Sequence, residues 1–217
     1  MEQVFESNQK SVRSVMQESR RGGLQHIHGP VSRLIHTEDR FTTAIEIALG
    51  AAMQQIVVGD ESDAKAAIAF LKRTGGGRAT FLPLGAIAPR TLQEPGVERC
   101  RGFVGIAPRL VGWEERSGDI VENLLGRIVI AEELDSAVAM AKQYRSRFKI
   151  VTLDGQVMNP GGSMTGGSVA KEAGLLFRAN ELQRLTRQEQ EQKVKTEKTE
   201  RDLAAAQPDV DETHFEL

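Results

Sequence analysis

The chain has 217 residues, of which 40% are hydrophobic, so it is long enough to build one large domain or two small ones around apolar cores. Its 28 Lys and Arg residues against 30 Asp and Glu residues give a net charge of −2, which excludes a strongly basic nucleic-acid binder of the histone or ribosomal type. The single Cys100 excludes an intramolecular disulfide, and no stretch approaches the roughly 20 apolar residues of a membrane span, so we expect a cytoplasmic protein.

Two helical arms are predicted at the ends of the chain. At the N-terminal end, Phe5, Val12 and Val15 fall on one a/d heptad frame before Gly22 and Gly23 interrupt the helix. At the C-terminal end, residues 181–202 contain no Gly or Pro and carry Glu residues four positions before Lys or Arg, an order that stabilises exposed helices. Two arms that flank one compact region are predicted to pair with each other.

Between the arms, apolar residues recur at helical spacing from Phe41 to Ala52, with Thr37 as the expected N-cap. The short buried strand QIVV follows, and Asp60 or Ser62 then caps a second predicted helix, which ends at the glycines of residues 75–77. The strand RATFLPL completes a strand, helix, strand unit. The expected buried face of the second helix consists of Ala64, Ala67, Ile68 and Leu71.

The same order recurs later in the chain. The stretch IVVGDESDAKAAIAF from Ile56 aligns without a gap with IVIAEELDSAVAMAK from Ile128. Two copies are too few for a solenoid, so the repeat predicts two α/β subdomains of similar local plan, although chance similarity between two such units also accounts for it. Residues 83–118, rich in Pro and Gly, are predicted to connect the copies with short strands at most.

No sequence motif supports catalysis. A phosphate-binding P-loop requires the dipeptide Gly-Lys, which occurs nowhere in the sequence. In the glycine-rich stretch NPGGSMTGGS, residues 159–168, Gly167 occupies the position where a P-loop has its lysine. His26, His28 and His36 lie close in sequence, but ordinary polar roles are favoured over a metal site. We therefore expect no catalytic residue, no metal and no cofactor.

Residues 34–84 and 148–168 resemble the hinge domain of bacterial SMC (structural maintenance of chromosomes) proteins. The most specific parts of the resemblance, which extends over about residues 22–178, are GRATFLPL and VTLDGQVMNPGGSMTGGS. The resemblance implies an α/β (α+β) fold of two subdomains, with N- and C-terminal helices forming an antiparallel coiled-coil stub. It also implies a homodimer that joins two long arms of a chromosome-organising ATPase.

The implied division of the chain has four parts. They are an incoming arm (1–21), an N-terminal subdomain with its connection (22–118), a C-terminal subdomain with the glycine motif (119–178), and an outgoing arm with an acidic tail (179–217). The parent protein is expected to be cytoplasmic and nucleoid-associated, and to work with ATPase heads and accessory condensin-type subunits that lie outside this chain.

The resemblance places the glycines of the last motif at the interface between protomers, and the absence of a Cβ fits a close approach of two backbones. The alternative is that they only form a tight turn before the outgoing arm. These glycines are Gly161, Gly162, Gly166 and Gly167.

Weak, non-specific DNA contact near the arm junction is a second expectation from the resemblance. Arg20 and Arg21 end the first arm, and Lys171 and Arg178 begin the second, so the four cations are candidates to converge on phosphates. A merely solvated, charged junction is the alternative. For the whole chain, two other functions stay open: a nucleotide-binding enzyme domain that uses the glycine loop, and a non-dimerising coiled-coil adaptor.

Overall fold

The computed structural model describes residues 2–168 and 174–215. Its chain contacts separate it into a first unit that ends at Ala179 and a second that starts at Asn180. The helices are α1 (Glu2–Arg20), α2 (Val31–Leu34), α3 (Asp39–Leu49), α4 (Glu61–Thr74), α5 (Gly118–Leu125), α6 (Leu134–Gln143) and α7 (Leu175–Phe215). The strands are β1 (Ile27–Pro30), β2 (Ile35–Thr37), β3 (Ile56–Val58), β4 (Phe81–Pro83), β5 (Phe103–Ile106), β6 (Val111–Trp113), β7 (Ile128–Ala131), β8 (Lys149–Thr152), β9 (Val157–Met158) and β10 (Met164–Thr165).

The strands form three sheets in the first unit. A three-stranded sheet has the order β1-β3-β4, a five-stranded sheet has the order β10-β9-β8-β7-β5, and β2 pairs with β6. Among the described strands, only β3 with β4 and β7 with β8 are parallel. Each parallel pair is joined through one helix, α4 or α6, so the two predicted strand, helix, strand units are confirmed.

Local sequence explains the bounds of α4. The Asp60 carboxylate accepts hydrogen bonds from the backbone N–H groups of Ser62 and Asp63, and the Asp63 side chain accepts one from the Asp60 N–H in return. This capping box satisfies donors that the first helical turn leaves unpaired. Gly75 ends the helix in a left-handed conformation with φ 61°, which glycine adopts without steric cost.

Two details of the predicted helices are wrong. Ile68 is 53% exposed, because Ala64, Ala67 and Leu71 form the buried stripe of α4 and Ile68 lies on its flank. Thr37 does not cap α3, since it still belongs to β2 and its hydroxyl donates to the Leu110 carbonyl. Glu38 occupies the N-cap position instead and makes no side-chain capping hydrogen bond.

Three groups of buried apolar side chains hold the first unit together. One lies between α1, α4 and β3, and a second lies between α6 and strands β7 and β8. The largest contains residues of both predicted subdomains, from Val31 to Val157, and it also buries Leu176 of α7 completely. Burial of apolar surface on this scale is the main driving force for folding. The start of the outgoing helix is therefore anchored in the same core, whereas the boundary at residues 118 and 119 stays a prediction.

Candidate dimer interface and arm junction

The glycine-rich stretch of residues 159–168 forms a hairpin at one edge of the five-stranded sheet. Met164 and Thr165 of β10 lie opposite Met158 and Val157 of β9, and the hairpin closes with a hydrogen bond of 2.8 Å from Asn159 N to Ser163 O. Residues 160–168 are all exposed. Within the described part of the chain, no strand pairs with the outer side of β10.

The first two glycines belong to a tight turn. Pro160 and Gly161 occupy its centre, and Gly162 N donates to Asn159 O at 3.0 Å. Gly161 has φ 86°, and a proline followed by a residue of positive φ is typical of a type II turn. Gly162 also has a positive φ, of 98°. The turn itself therefore requires glycine at 161 and favours it at 162.

The second glycine pair is fixed by one glutamine. Gln156 accepts a hydrogen bond of 2.9 Å from Gly167 N and donates one of 3.1 Å to Gly167 O. A Cβ added at Gly166 would lie 2.2 Å from the Gln156 Oε1 atom. Gly167 has φ 141°, and a Cβ there would meet no atom of residues 2–168 or 174–215 within 4 Å. Gln156 can therefore make these hydrogen bonds to the end of β10 because Gly166 has no side chain in its way.

The turn that precedes β9 supports this glutamine. The Thr152 hydroxyl donates to Asp154 Oδ1, and Gln156 Nε2 lies 3.4 Å from Asp154 Oδ2. The hydrogen bond from Thr152 is the main reason that the pKa of Asp154 lies below its ordinary value; burial opposes it and Gln156 adds to it. Asp154 therefore remains an acceptor, which helps to orient the glutamine.

Met164 is the hairpin residue that the sequence analysis missed. Its side chain is 55% exposed on the edge strand, and no charged residue occurs anywhere in 159–168. Natural proteins usually blunt an exposed strand edge with charge, proline within the strand, or a cover. The sequence did contain a signal for this edge strand: the segment 163–165, between the two glycine pairs, is long enough to form a short strand.

At the arm junction, Arg20 at the end of α1 and Arg178 in the first turns of α7 line one cavity of about 410 Å³. Arg13 and Arg33, which the sequence analysis did not single out, line it too. Arg21 is exposed but does not line the cavity, and Lys171 lies outside the described residues. The structure thus brings two of the four predicted cations together.

His26 and Cys100 each have an ordinary polar partner. His26 Nδ1 lies 3.2 Å from Asp63 Oδ1, and Cys100 Sγ lies 3.7 Å from Gln143 Oε1. Burial, followed by the charge of Arg116, lowers the pKa of His28. Across residues 2–168 and 174–215, no three His, Cys, Asp or Glu side chains are grouped as metal ligands. In the same ranges, no helix has the length and apolar character needed to cross a membrane.

A family model described as "SMC proteins Flexible Hinge Domain" matches residues 24–141, which is more than half of the chain. The chain belongs to the SMC hinge family. The matched segment runs from the end of the first arm into α6, so it includes both predicted strand and helix repeats. The family resemblance expected from GRATFLPL and the glycine motif is confirmed.

Bacterial relatives agree with this SMC hinge assignment. Chromosome partition protein Smc of Bacillus subtilis (strain 168) is 42% identical over 207 residues, which cover 94% of this chain and 17% of that protein. Chromosome partition protein Smc of Halothermothrix orenii is 36% identical over 191 residues, which cover 87% of this chain and 16% of that protein. The chain therefore spans about a sixth of the length of these relatives.

Solved SMC hinge structures confirm the α/β hinge fold. An asymmetric dimer of the Geobacillus stearothermophilus SMC hinge domain matches with a TM-score of 0.79 at 42% identity, covering 90% of this chain and 79% of that one. The Pyrococcus furiosus SMC hinge domain matches with a TM-score of 0.60 at 27% identity, covering 75% of this chain and 90% of that one.

Proposed function

We propose that this SMC hinge joins two copies of its chain, and so links two coiled-coil arms of a chromosome-organising ATPase into a ring or rod around DNA. The observation that carries the proposal is the uncharged, exposed edge strand β10 with Met164 on its surface. Such an edge is a template for pairing with another chain. The dimeric Geobacillus stearothermophilus hinge supports the same assignment.

The glycine hairpin fits close contact with a partner backbone. Among the described residues, a Cβ at Gly161 or at Gly167 would meet no atom within 4 Å, which supports an approach of a second copy above both residues. The three-stranded sheet also ends in an edge strand, β4. With two-fold symmetry, contact between β10 of one copy and β4 of the other would occur twice and close a ring.

Replacing Met164 by Glu tests the dimer interface. The side chain is already exposed, so the variant should fold normally, but burying its carboxylate against a partner would be unfavourable. We expect the dimer dissociation constant to rise at least about tenfold in sedimentation velocity over a concentration series, equivalent to about 1.4 kcal/mol. Leu134→Glu, an exposed site on α6, is the matched control. Equal dissociation constants for Met164→Glu and the unaltered chain would place β10 outside the interface.

We further infer that the arm junction contacts DNA phosphates without sequence specificity. Arg20 and Arg178 line one cavity, and both are exposed. None of the residues that line this cavity is acidic, which favours anion binding there despite the net charge of −2. Arg21 and Lys171 remain candidates from their place in the sequence.

A double substitution, Arg20→Gln with Arg178→Gln, tests the DNA contact. Each phosphate contact contributes about 1 to the slope of log K against log salt, so the double variant should lose about 2 from that slope. Fluorescence anisotropy with a labelled duplex at several salt concentrations measures it. Arg109→Gln removes one exposed charge elsewhere and should change the slope little. An unchanged slope in the double variant would exclude both arginines as phosphate contacts.

The location and partners of the parent protein are inferred from its bacterial relatives. The two bacterial relatives are chromosome partition proteins, and the matches cover about a sixth of their length. We therefore infer a cytoplasmic, nucleoid-associated parent whose ATPase heads and accessory condensin-type subunits act outside this non-catalytic segment. Pairing of the two arms as an antiparallel coiled coil is part of the same proposal. Stoichiometric binding of an ATP analogue at the glycine hairpin would instead favour the enzyme alternative.

A further inference from the structure

The single cysteine of the chain borders a cavity that the proposed function does not use. Cys100 follows a short 3-10 helix (Val97–Arg99), and its partly exposed thiol donates to Gln143 Oε1 across 3.7 Å. Arg99 and Arg101 flank it in the sequence. Reactive cysteines lie in partly exposed, electropositive surroundings, whereas buried structural cysteines are inert. Cys100 therefore has the accessibility and the neighbouring charge that thiol chemistry requires.

The cavity beside this thiol, which we call the thiol cavity, lies along α6 and has a volume of about 410 Å³. This volume is within the range of small-molecule sites. The polar side chains that line it are Cys100, Arg101, Glu133, Asp135, Ser136 and Gln143. They supply a thiol, a cation, two carboxylates, a hydroxyl and an amide, so the cavity can contact a ligand with several kinds of polar group.

The hydroxyl of Ser136 is a buried polar group without a partner in the described chain. Ser136 is 7% exposed, and no group of residues 2–168 or 174–215 forms a hydrogen bond with its hydroxyl. Within those ranges, the only fully enclosed side-chain atoms without a partner belong to Gln54, so the Ser136 hydroxyl keeps access to the cavity that it lines. Buried hydroxyls normally have partners, because an unpaired one costs free energy. This hydroxyl is therefore available to a ligand that enters the thiol cavity.

The charges around the thiol cavity are also available. Arg101, Glu133 and Asp135 are exposed, and none of them makes an ion pair with another residue of the described chain. An arginine binds a carboxylate through two parallel hydrogen bonds, and a carboxylate attracts an ammonium group. A ligand that carries both ammonium and carboxylate groups satisfies both kinds of charge.

We propose that Cys100 forms a mixed disulfide with a small thiol that carries both ammonium and carboxylate groups, the chemistry that cysteine and glutathione share. Arg101 and the Ser136 hydroxyl hold a carboxylate of this thiol, and Glu133 or Asp135 holds its ammonium group. Mixed disulfides of this kind are reversible modifications of protein thiols. Neither β10 nor the arm junction contributes to the thiol cavity, so the site goes beyond the proposed function and does not depend on it.

The modification is a thiol–disulfide exchange. The Cys100 thiol loses its proton to solvent, and the resulting thiolate attacks one sulfur of the disulfide form of the small thiol. A new S–S bond forms to Cys100 while the old S–S bond breaks, so Cys100 is oxidised and the leaving half is reduced. The leaving half departs as a thiolate and takes up a proton. An excess of the free small thiol reverses the exchange.

Equilibration of the unaltered chain with reduced and oxidised glutathione tests this site. Acid quenching followed by intact-mass spectrometry gives the modified fraction, and the site of the mass gain is unambiguous because the chain has one cysteine. The equilibrium constant for the mixed disulfide should be at least about tenfold larger in the folded chain than in the chain unfolded by urea, because hydrogen bonds to charged groups contribute that much.

Two variants and two further disulfides identify the contacts. Arg101→Gln and Ser136→Ala should each lower the constant of the folded chain at least about threefold. Arg99→Gln is the matched control, because Arg99 also flanks Cys100 and is exposed but does not line the cavity. Hydroxyethyl disulfide, which carries no charge, should modify the folded and unfolded chains equally. Cystine should depend on Arg101 as glutathione does, and the larger folded-state preference shows which of the two thiols the cavity fits.

Three results would each overturn the proposal. They are equal constants in the folded and unfolded chains with both glutathione and cystine, the same enhancement with hydroxyethyl disulfide, and a loss in Arg101→Gln no larger than that in Arg99→Gln. Arg101 is exposed, so its variant keeps the test decisive if Ser136→Ala, checked by circular dichroism, does not fold.

Discussion

At the scale of single residues, the Glu46 carboxylate connects the core to the outgoing arm. Glu46 lies in α3, and its Oε1 atom accepts hydrogen bonds from the backbone N–H groups of Leu176, and of Phe177 at 3.2 Å. A carboxylate at this position satisfies unpaired donors and interacts favourably with the positive end of the helix dipole. A Cβ at Gly174 would lie 1.8 Å from Glu46 Oε2, so glycine leaves room for the carboxylate.

Replacing Glu46 by Ala should destabilise the first turn of α7. Loss of a helix cap costs about 0.5–2 kcal/mol, so we expect a decrease of that size in the free energy of unfolding by urea at fixed protein concentration. Amide hydrogen exchange at Leu176 and Phe177 should become faster. Glu46→Gln keeps an acceptor oxygen, so its free energy of unfolding should decrease less than that of Glu46→Ala. The control, Glu189→Ala, removes an exposed carboxylate from α7, and an equal loss in both variants would show that Glu46 does not act as a cap.

The glycine motif shows which part of a residue's role its sequence can predict. Four glycines in ten residues indicated unusual backbone geometry, and the positive φ values of Gly161, Gly162 and Gly167 account for three of them within one chain. Alanine at those three positions would be strained with or without a partner, so it does not isolate the interface. Glycine is needed at position 166 because Gln156 lies close to it. This contact joins residues ten positions apart, so the composition of the motif does not predict it.

At the scale of elements, the two strand, helix, strand units could be predicted because their signals are local. The capping box at Asp60, the left-handed Gly75 and the stripe of Ala64, Ala67 and Leu71 are each set by neighbouring residues. The prediction failed where a distant element decides the outcome. Thr37 has the right chemistry for an N-cap, but pairing of β2 with β6 extends the strand through it.

The candidate site was only partly predictable for the same reason. Its loop was recognised from the glycines and the family resemblance, whereas the edge position of β10 follows from the strand order of the whole sheet. The junction cavity combines α1, α2, α7 and the 3-10 helix that contains Gln54. Nothing adjacent to Gln54 in the sequence indicates that its amide is buried with no hydrogen-bond partner among the described residues.

At the scale of the whole molecule, we propose that the chain acts as a connector between two arms. Its described residues include the exposed edge strand β10, the start of an outgoing helix anchored in the core by Glu46 and Leu176, and a cationic cavity at the junction. A stable interface of standard size buries about 1,600 Å² in total. The short β10 edge alone is too small for that, so we expect both subdomains to contribute to the dimer.

The molecular mass of the unaltered chain in solution tests the central claim most directly. Size-exclusion chromatography with multi-angle light scattering at micromolar protein concentration should give twice the 23.8 kDa of one chain. The dimer should persist in high salt, because the proposed β10 edge carries no charge. A mass of 23.8 kDa across this concentration range would contradict the account and favour the non-dimerising adaptor.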